Sequence, residues 1–416
     1  MPKSPSRNSP TRFELFAVTA PGLESITAGE LKTLGMKGRQ QPGGVEFAGD
    51  AGQIYQSNLW LRTASRVLLR LGQFHASTFY ELERRAKKLD WAAFLPATGL
   101  VEVRVTCRKS RLYHSDAVAE RILGAIARVA PSGLKIVSAR NEDVESEDSD
   151  AQGTGKAVPD GDATPSSQSF VVRIVDDQCE ISADTSGELL HRRGYRLETA
   201  KAPLRETLAA AMVLASGWKN NEPLIDPMCG SGTIPIEAAL IARRMAPGLN
   251  RRFQFMNWAW FDGRLWNEIV EKAKDSIIAP ALGIHGSDRV PGAIESAKRN
   301  AERAGVTSDV QFSTESVSGA FAGLEDVADG EGWIITNPPY GVGVGESADL
   351  RNLYATLGNS VKAKARWRIG VLAAEDALAG QMRLPMGSRF ESRNGGIPVR
   401  FLVSERIEHG TASAVR

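Results

Sequence analysis

Leu224-Ile225-Asp226-Pro227-Met228-Cys229-Gly230-Ser231-Gly232-Thr233 leaves a short apolar strand, turns sharply and enters a helix. Gly230 and Gly232 strip the turn of side chains, so a ligand can approach the backbone. The helix that follows offers N–H groups with no partner of their own. No Gly-Lys-Ser/Thr follows, so this is not a P-loop, and Pro235 fills the third glycine position of the dinucleotide fingerprint. Taken alone, the turn is also compatible with a purely structural role. Working outward, strands are expected at Leu224–Asp226, Gly283–Ser287, Val310–Ser313, Trp333–Thr336 and Ile369–Ala373. Helices are expected between them at Thr233–Arg243, Pro291–Ala304 and Leu350–Val361. This alternation predicts an α/β domain over 207–410, built on a parallel sheet covered on both faces. Ligands of such sheets bind at the carboxyl ends of the strands.

Two further strand ends carry chemistry. Asp288 follows the second strand, where an acid can accept hydrogen bonds from both hydroxyls of a ribose; it can also cap the helix opening near Pro291. Glu315, after the third strand, stands where an acid can read an adenine amino group, or it is a surface glutamate. The fourth strand ends in Asn337-Pro338-Pro339-Tyr340. Two prolines remove two backbone donors and stiffen the turn. The Pro338 carbonyl and the Asn337 side-chain carbonyl can together accept both hydrogens of an exocyclic amine. Tyr340 offers an aromatic face to a planar base. The alternative is a tight turn with a buried tyrosine.

The first half reads as α+β. Phe13–Val18 and Val45–Phe47 are strand-like, and a helix opening at Pro21 puts Leu23, Ile26, Leu31 and Leu34 on one stripe. Val101, Val103 and Val105 alternate with Glu102 and Arg104, as in a half-buried strand. A helix over Asp116–Ile126 and strands at Leu134–Ser138 and Phe170–Val175 follow. Residues 141–168 hold eight acidic residues and one base, with no aromatics, which predicts a disordered acidic insertion. The 416 residues carry a formal net charge of +2; without that segment 50 basic face 41 acidic residues, a net of +9. A basic folded part suits a polyanionic partner. Its cations gather at Arg108, Lys109 and Arg111, and at Arg192, Arg193 and Arg196 in a connector.

Hydrophobic residues make up 42% and charged residues 24%, ordinary values for a folded globular protein. No apolar run reaches the roughly 18–20 residues of a membrane span, and the N-terminus has no apolar signal core. Three cysteines, Cys107, Cys179 and Cys229, form no paired motif, so neither a disulfide framework nor a metal site is expected. A cytoplasmic setting fits.

Together, DPMCGSGT at 226–233 and NPPYG at 337–341 resemble the amino-methyltransferases that use S-adenosylmethionine. Over nearly the whole chain the resemblance is to the THUMP-domain RNA N2-guanine methyltransferases, which include bacterial large-subunit rRNA enzymes. Phe13–Glu24, Asp184–Gly187, Leu190–Arg196, Ala202–Ala209 and Ala246–Leu249 with Trp258 and Phe261 carry it further. The chain departs from the family at Gly343, where arginine is usual, and at Glu315, where aspartate is usual.

The resemblance implies a Rossmann-like methyltransferase domain preceded by an α+β ferredoxin-like and THUMP module. The expected division is tail 1–12, ferredoxin-like domain 13–70, THUMP domain 71–186, connector 187–206, methyltransferase domain 207–410 and tail 411–416. S-adenosylmethionine is expected at Asp226, Met228, Cys229, Gly230, Ser231, Gly232, Thr233, Asp288, Glu315 and Asn337. Asn337, Pro338, Pro339 and Tyr340 are the expected catalytic residues. Arg108, Lys109, Arg111, Arg192, Arg193 and Arg196 are expected on RNA, and the first 200 residues are expected to bind it alone. The implied reaction methylates guanine N2 in 23S rRNA. A tRNA guanine-N2 enzyme, a DNA adenine-N6 enzyme and a non-catalytic RNA-binding assembly factor are the alternatives.

Overall fold

The structure is a computed structural model that describes residues 12–138, 167–197, 204–279, 283–322, 331–340, 347–363 and 366–406. Residues 141–166 of the acidic segment, Gly343 and the tail 411–416 lie outside the described residues.

Residues 12–197 build one eight-stranded sheet. In chain order its elements are β1 (Phe13–Thr19), α1 (Glu24–Thr33), β2 (Gly38–Gln41), β3 (Gly44–Gly49), α2 (Ala51–Trp60), β4 (Ala64–His75) and α3 (Phe79–Ala86). There follow β5 (Gly99–Arg108), α4 (Ser115–Ala127), β6 (Leu134–Ser138), β7 (Ser167–Val175) and β8 (Gln178–Asp184). The strand order is β2-β3-β1-β4-β8-β7-β5-β6. Val101, Val103 and Val105 are buried and their neighbours half-exposed, as their alternation requires. α2 was not foreseen, though Asp50 and Gln53 form a reciprocal capping box at its start.

One expected division is crossed by a strand, and the bounds of the insertion need correction. The division at 70/71 falls inside β4, which pairs with β1 through residues 64–69 and with β8 through 68–75. The ferredoxin-like and following units are therefore two halves of one sheet. Ser167 and Gln168, assigned to the disordered insertion, open β7; Gln168 is fully buried and donates to the carbonyl of Asp184 at 3.1 Å.

The second half comprises α5 (Glu206–Ser216), β9 (Leu224–Asp226), α6 (Thr233–Ala242), α7 (Gly263–Asp275), β10 (Ile284–Asp288), α8 (Pro291–Ala304) and β11 (Val310–Thr314). Then come α9 (Val317–Ala322), β12 (Gly332–Thr336), α10 (Ser347–Lys362), β13 (Trp367–Ala373), α11 (Asp376–Gly380), β14 (Met386–Asn394) and β15 (Ile397–Ser404). Pro at the first turn of α8 and left-handed Gly305 after it mark that helix at both ends. The sheet order is β11-β10-β9-β12-β13-β15-β14. Five strands are parallel, but β15 runs antiparallel to β13, and β14 antiparallel to β15. The expected all-parallel sheet is thus mixed, because a terminal hairpin replaces a further crossover helix. The order reverses between β9 and β12, and the crevice there is the topological switch point of the sheet.

The two halves share their cores. The segment between α6 and α7 leaves the second half and packs its aromatic residues under the first sheet. Phe255 stacks on Tyr55 at 4.6 Å between centroids, Trp260 on Phe13 at 5.3 Å, and Trp258 meets Phe94 edge-on at 5.1 Å. Trp258 Nε1 donates to Gln168 Oε1 at 2.6 Å. In return, Leu23 of the first half is buried in the core of the second beside Phe390 and Phe401. Arg193, Glu237 and Arg62 form a buried charged knot at the junction. Arg193 pairs with Glu237 and donates to the Arg62 carbonyl at 2.6 Å, and Tyr195 donates to Glu237 at 2.8 Å. Burial pulls the Arg62 guanidinium down to about 10. Such interlocking argues against a first half that folds and binds RNA by itself.

Candidate active site

At the end of β9, Asp226 Oδ1 accepts from Thr336 Oγ1 at 2.7 Å and from the Met228 amide at 3.2 Å. It thereby ties the first strand of the sheet to the fourth, just before the NPPY turn. Only 1% of Asp226 is exposed, and burial pushes its carboxyl up to about 7. The glycine turn is braced from the next strand. Cys229 N donates to the Ser287 carbonyl at 2.9 Å, and Gly230 N to Asp288 Oδ2 at 3.0 Å. Gly230 and Gly232 have φ of 53° and 84°. A β-carbon at Gly232 would crowd Ala297 and Phe312 at 3.0 Å, whereas one at Gly230 would meet no protein atom. Gly232 is therefore structural, in that its missing side chain makes room for Ala297 and Phe312; the bare face of Gly230 opens outward.

It opens onto a cavity of about 830 Å³ at the switch point. Met228, Cys229, Gly230, Ser231, Thr233, Asp288, Glu315, Asn337, Pro338, Pro339 and Tyr340 all line it. Of the expected cofactor residues, Asp226 and Gly232 do not: they stand behind the wall and shape it. Asp288 is not the cap of α8, whose N-cap residue Val290 has no side-chain partner. Instead its Oδ1 accepts from the Val290 amide at 2.9 Å while Oδ2 holds Gly230. Each carboxylate oxygen, having accepted one such bond, has the capacity to accept another.

The NPPY turn supplies the opposite wall. Pro338 is buried and Pro339 exposed. Asn337 Oδ1 is a buried acceptor with no hydrogen-bond partner among the described residues. An acceptor left bare in this way costs about 1–3 kcal/mol, so it calls for a donor from a ligand. The Tyr340 hydroxyl accepts from Asn394 Nδ2 at 2.7 Å, and burial pushes the phenol up to about 12. Among the described residues, no group of three or more His, Cys, Asp or Glu is placed to hold a metal ion.

Residues 193–401 match the family described as RMKL-like, methyltransferase domain. The chain belongs to that family. Residues 14–68 of this RMKL-like methyltransferase also match the RlmL ferredoxin-like domain. The chain is 35% identical over 369 residues to the Bacillus subtilis (strain 168) protein called "Putative RNA methyltransferase YpsC", covering 88% of this chain and 89% of that one. A solved structure of SMU.472, described as a putative methyltransferase complexed with SAH, is similar with a TM-score of 0.78 and 28% identity, over 95% of this chain and 99% of that one. Another, described as a predicted N6-adenine-specific DNA methylase from Listeria monocytogenes str. 4b F2365, is 32% identical with a TM-score of 0.76, over 94% of this chain and 96% of that one.

The RNA residues divide. Arg108, Lys109 and Arg111 are exposed on the turn after β5, with Arg111 3.5 Å from Asp177. Arg192 is exposed on the connector. Arg193 cannot meet RNA, because its side chain is 1% exposed and is committed to Glu237. Arg196 is also largely covered, 3.3 Å from Glu206, and lies in the cavity wall. Among the wall residues of this methyltransferase that escaped sequence reasoning are His191, Arg205, Asn394 and Ile397. His191 and Arg205 sit in stretches already singled out, so a connector folding back on the site was the missing idea. Asn394 and Ile397 flank Gly395-Gly396, a two-residue hairpin turn signal that the sequence reading passed over.

Proposed function

We propose that the protein transfers a methyl group from S-adenosylmethionine to the exocyclic N2 of a guanine in RNA, with 23S rRNA the first substrate to test. The observation that carries this reading is the buried Asn337 Oδ1, without a partner among the described residues, in a cavity wall that also holds Pro338, whose carbonyl is taken as the second acceptor. Two such acceptors match the two hydrogens of an amine. The cavity, at about 830 Å³, lies high in the roughly 300–1,000 Å³ range of ligand sites, which leaves room for a base beside the cofactor. The bare Gly230 and the Asp288 carboxylate suit a cofactor carrying a ribose. When bound, S-adenosylmethionine supplies an electrophilic methyl group.

The protein's part is geometry. Guanine N2 is a weak nucleophile because its lone pair is delocalised into the ring. Asn337 and the Pro338 carbonyl, by holding both hydrogens, turn the nitrogen lone pair toward the methyl group. Orientation of this kind can supply up to ~7–11 kcal/mol of the barrier. Tyr340 lies where its ring can cover the base. The target base must leave its stack to reach the cavity. Residues 71–186 are read as the THUMP unit, and with the exposed Arg108–Arg111 turn they support an RNA substrate positioned through phosphates. The name of the Bacillus subtilis relative supports RNA as well.

The test is tritium transfer from labelled cofactor to RNA from a strain lacking the gene, with duplex DNA in parallel and the product nucleoside identified by mass spectrometry. N2-methylguanosine in RNA is expected; N6-methyladenine in DNA would replace this reading with the adenine one. Asn337→Ala should lower transfer at least ~100-fold while cofactor affinity, measured by calorimetry, stays within threefold. Near-normal turnover of that variant would remove the NPPY mechanism.

A further inference from the structure

Tyr340 stands at the end of a proline-stiffened turn, but its ring is held from elsewhere. Asn394 Nδ2 donates to the phenol oxygen at 2.7 Å, and both residues line the cavity. Asn394 is the last residue of β14 and pairs with Ile397, the first of β15. Between them lie only Gly395 and Gly396, at φ of 55° and 81°. Positive φ at both central residues is the signature of the tight two-residue turn whose twist matches a hairpin. The turn leaves Asn394 little freedom: its place is set by the β14–β15 register.

The other end of that rail touches the first half of the molecule. Gly22, at φ 86°, lies so close to the Glu391 carbonyl that a β-carbon there would overlap it. Phe390 is buried with Leu23 in one core. Three residues along β14, the strand reaches Asn394 and so the phenol of Tyr340.

We propose that Asn394 is a positioning residue of the acceptor site, fixing the plane of the Tyr340 ring against the incoming base from the tip of the β14–β15 hairpin. This rests on the reading that Tyr340 faces the acceptor. A tyrosine ring without this tether keeps its stacking area but loses a defined plane. A misplaced ring affects the base and leaves the cofactor untouched.

The experiment compares Asn394→Ala, Tyr340→Phe and the double variant in the full chain, on the RNA described above. Asn394→Ala should lower kcat/KM for RNA by ~10-fold, with SAH affinity within twofold of wild type. Tyr340→Phe, which removes the same hydrogen bond from its other end, should lose a similar factor. The double variant should be no worse than either single one, because there is only one bond to lose. Additive losses, or wild-type kcat/KM in Asn394→Ala, would overturn the proposal. If Asn394→Ala does not fold, Tyr340→Phe decides: wild-type turnover overturns the proposal, and a ~10-fold loss with intact SAH binding supports it. All variants are compared on whichever base the wild type methylates, so a product other than N2-methylguanosine defeats the functional reading alone.

Discussion

Asp226, expected to touch the cofactor, stands instead behind the cavity wall. It never reaches the cavity, but it links Thr336 to the glycine turn and so sets the spacing of the two site loops. Its carboxyl is raised from 3.8 to about 7 by burial. Between those values the folded chain keeps a proton that the unfolded chain has released. Its contribution to stability is therefore full below about pH 4 and is lost as pH rises through about 7, by on the order of 1 kcal/mol per pH unit within that window. Asp226→Asn retains an acceptor for Thr336 and Met228 and cannot titrate. Its thermal midpoint should be flatter than wild type between pH 5 and 7, and parallel slopes would contradict the assignment. At this scale the sequence was legible wherever a side chain answers to its own strand end, as Asp288 and Asn337 do. Arg193 was misread because the carboxylate that buries it, Glu237, lies on α6, and no local pattern announces that pairing.

Among the elements, the five parallel strands and α8 could be seen in advance because apolar runs and proline or glycine stops define them locally. The β14–β15 hairpin was passed over, although Asn394-Gly395-Gly396 is a two-residue turn signal. Residues 386–394 read Met-Gly-Ser-Arg-Phe-Glu-Ser-Arg-Asn, a polar stretch whose buried positions are set by neighbours distant in sequence. α7 was missed although Asp262 caps it through two backbone amides. At the same scale lies the seat of the hairpin. Gly22→Ala would place a β-carbon on the Glu391 carbonyl in a left-handed conformation that alanine resists. The variant should lose ~1–3 kcal/mol of stability in urea unfolding. Relative to wild type, it should lose RNA methylation before it loses SAH binding. Equal losses of both would indicate general unfolding and no special tie between Gly22 and the hairpin.

For the whole molecule, the domain order was legible but the independence of the domains was not, because composition reports what each segment buries and never against what. Tyr55, Phe13 and Phe94 find their partners in residues 255–260, from the far side of the connector. Each such aromatic pair contributes about 0.5–1.5 kcal/mol beyond the area it buries. Chains 1–197 and 204–416 expressed singly should therefore aggregate, and expressed together should copurify as one complex. A monomeric, cooperatively melting 204–416 fragment would show the interlock to be dispensable.

That interlock also sets a timetable for synthesis. The last strand of the first sheet ends at Asp184, but the aromatic side chains that close its underside are not made until Phe253 to Trp266. Roughly 80 more residues must therefore be added, some 4–16 s at a rate of about 5–20 residues per second. Throughout that interval the nascent chain holds all eight strands of the sheet but not the residues that cover its apolar floor. Until those residues are made, Tyr55, Phe13 and Phe94 lack the rings that cover them in the finished molecule.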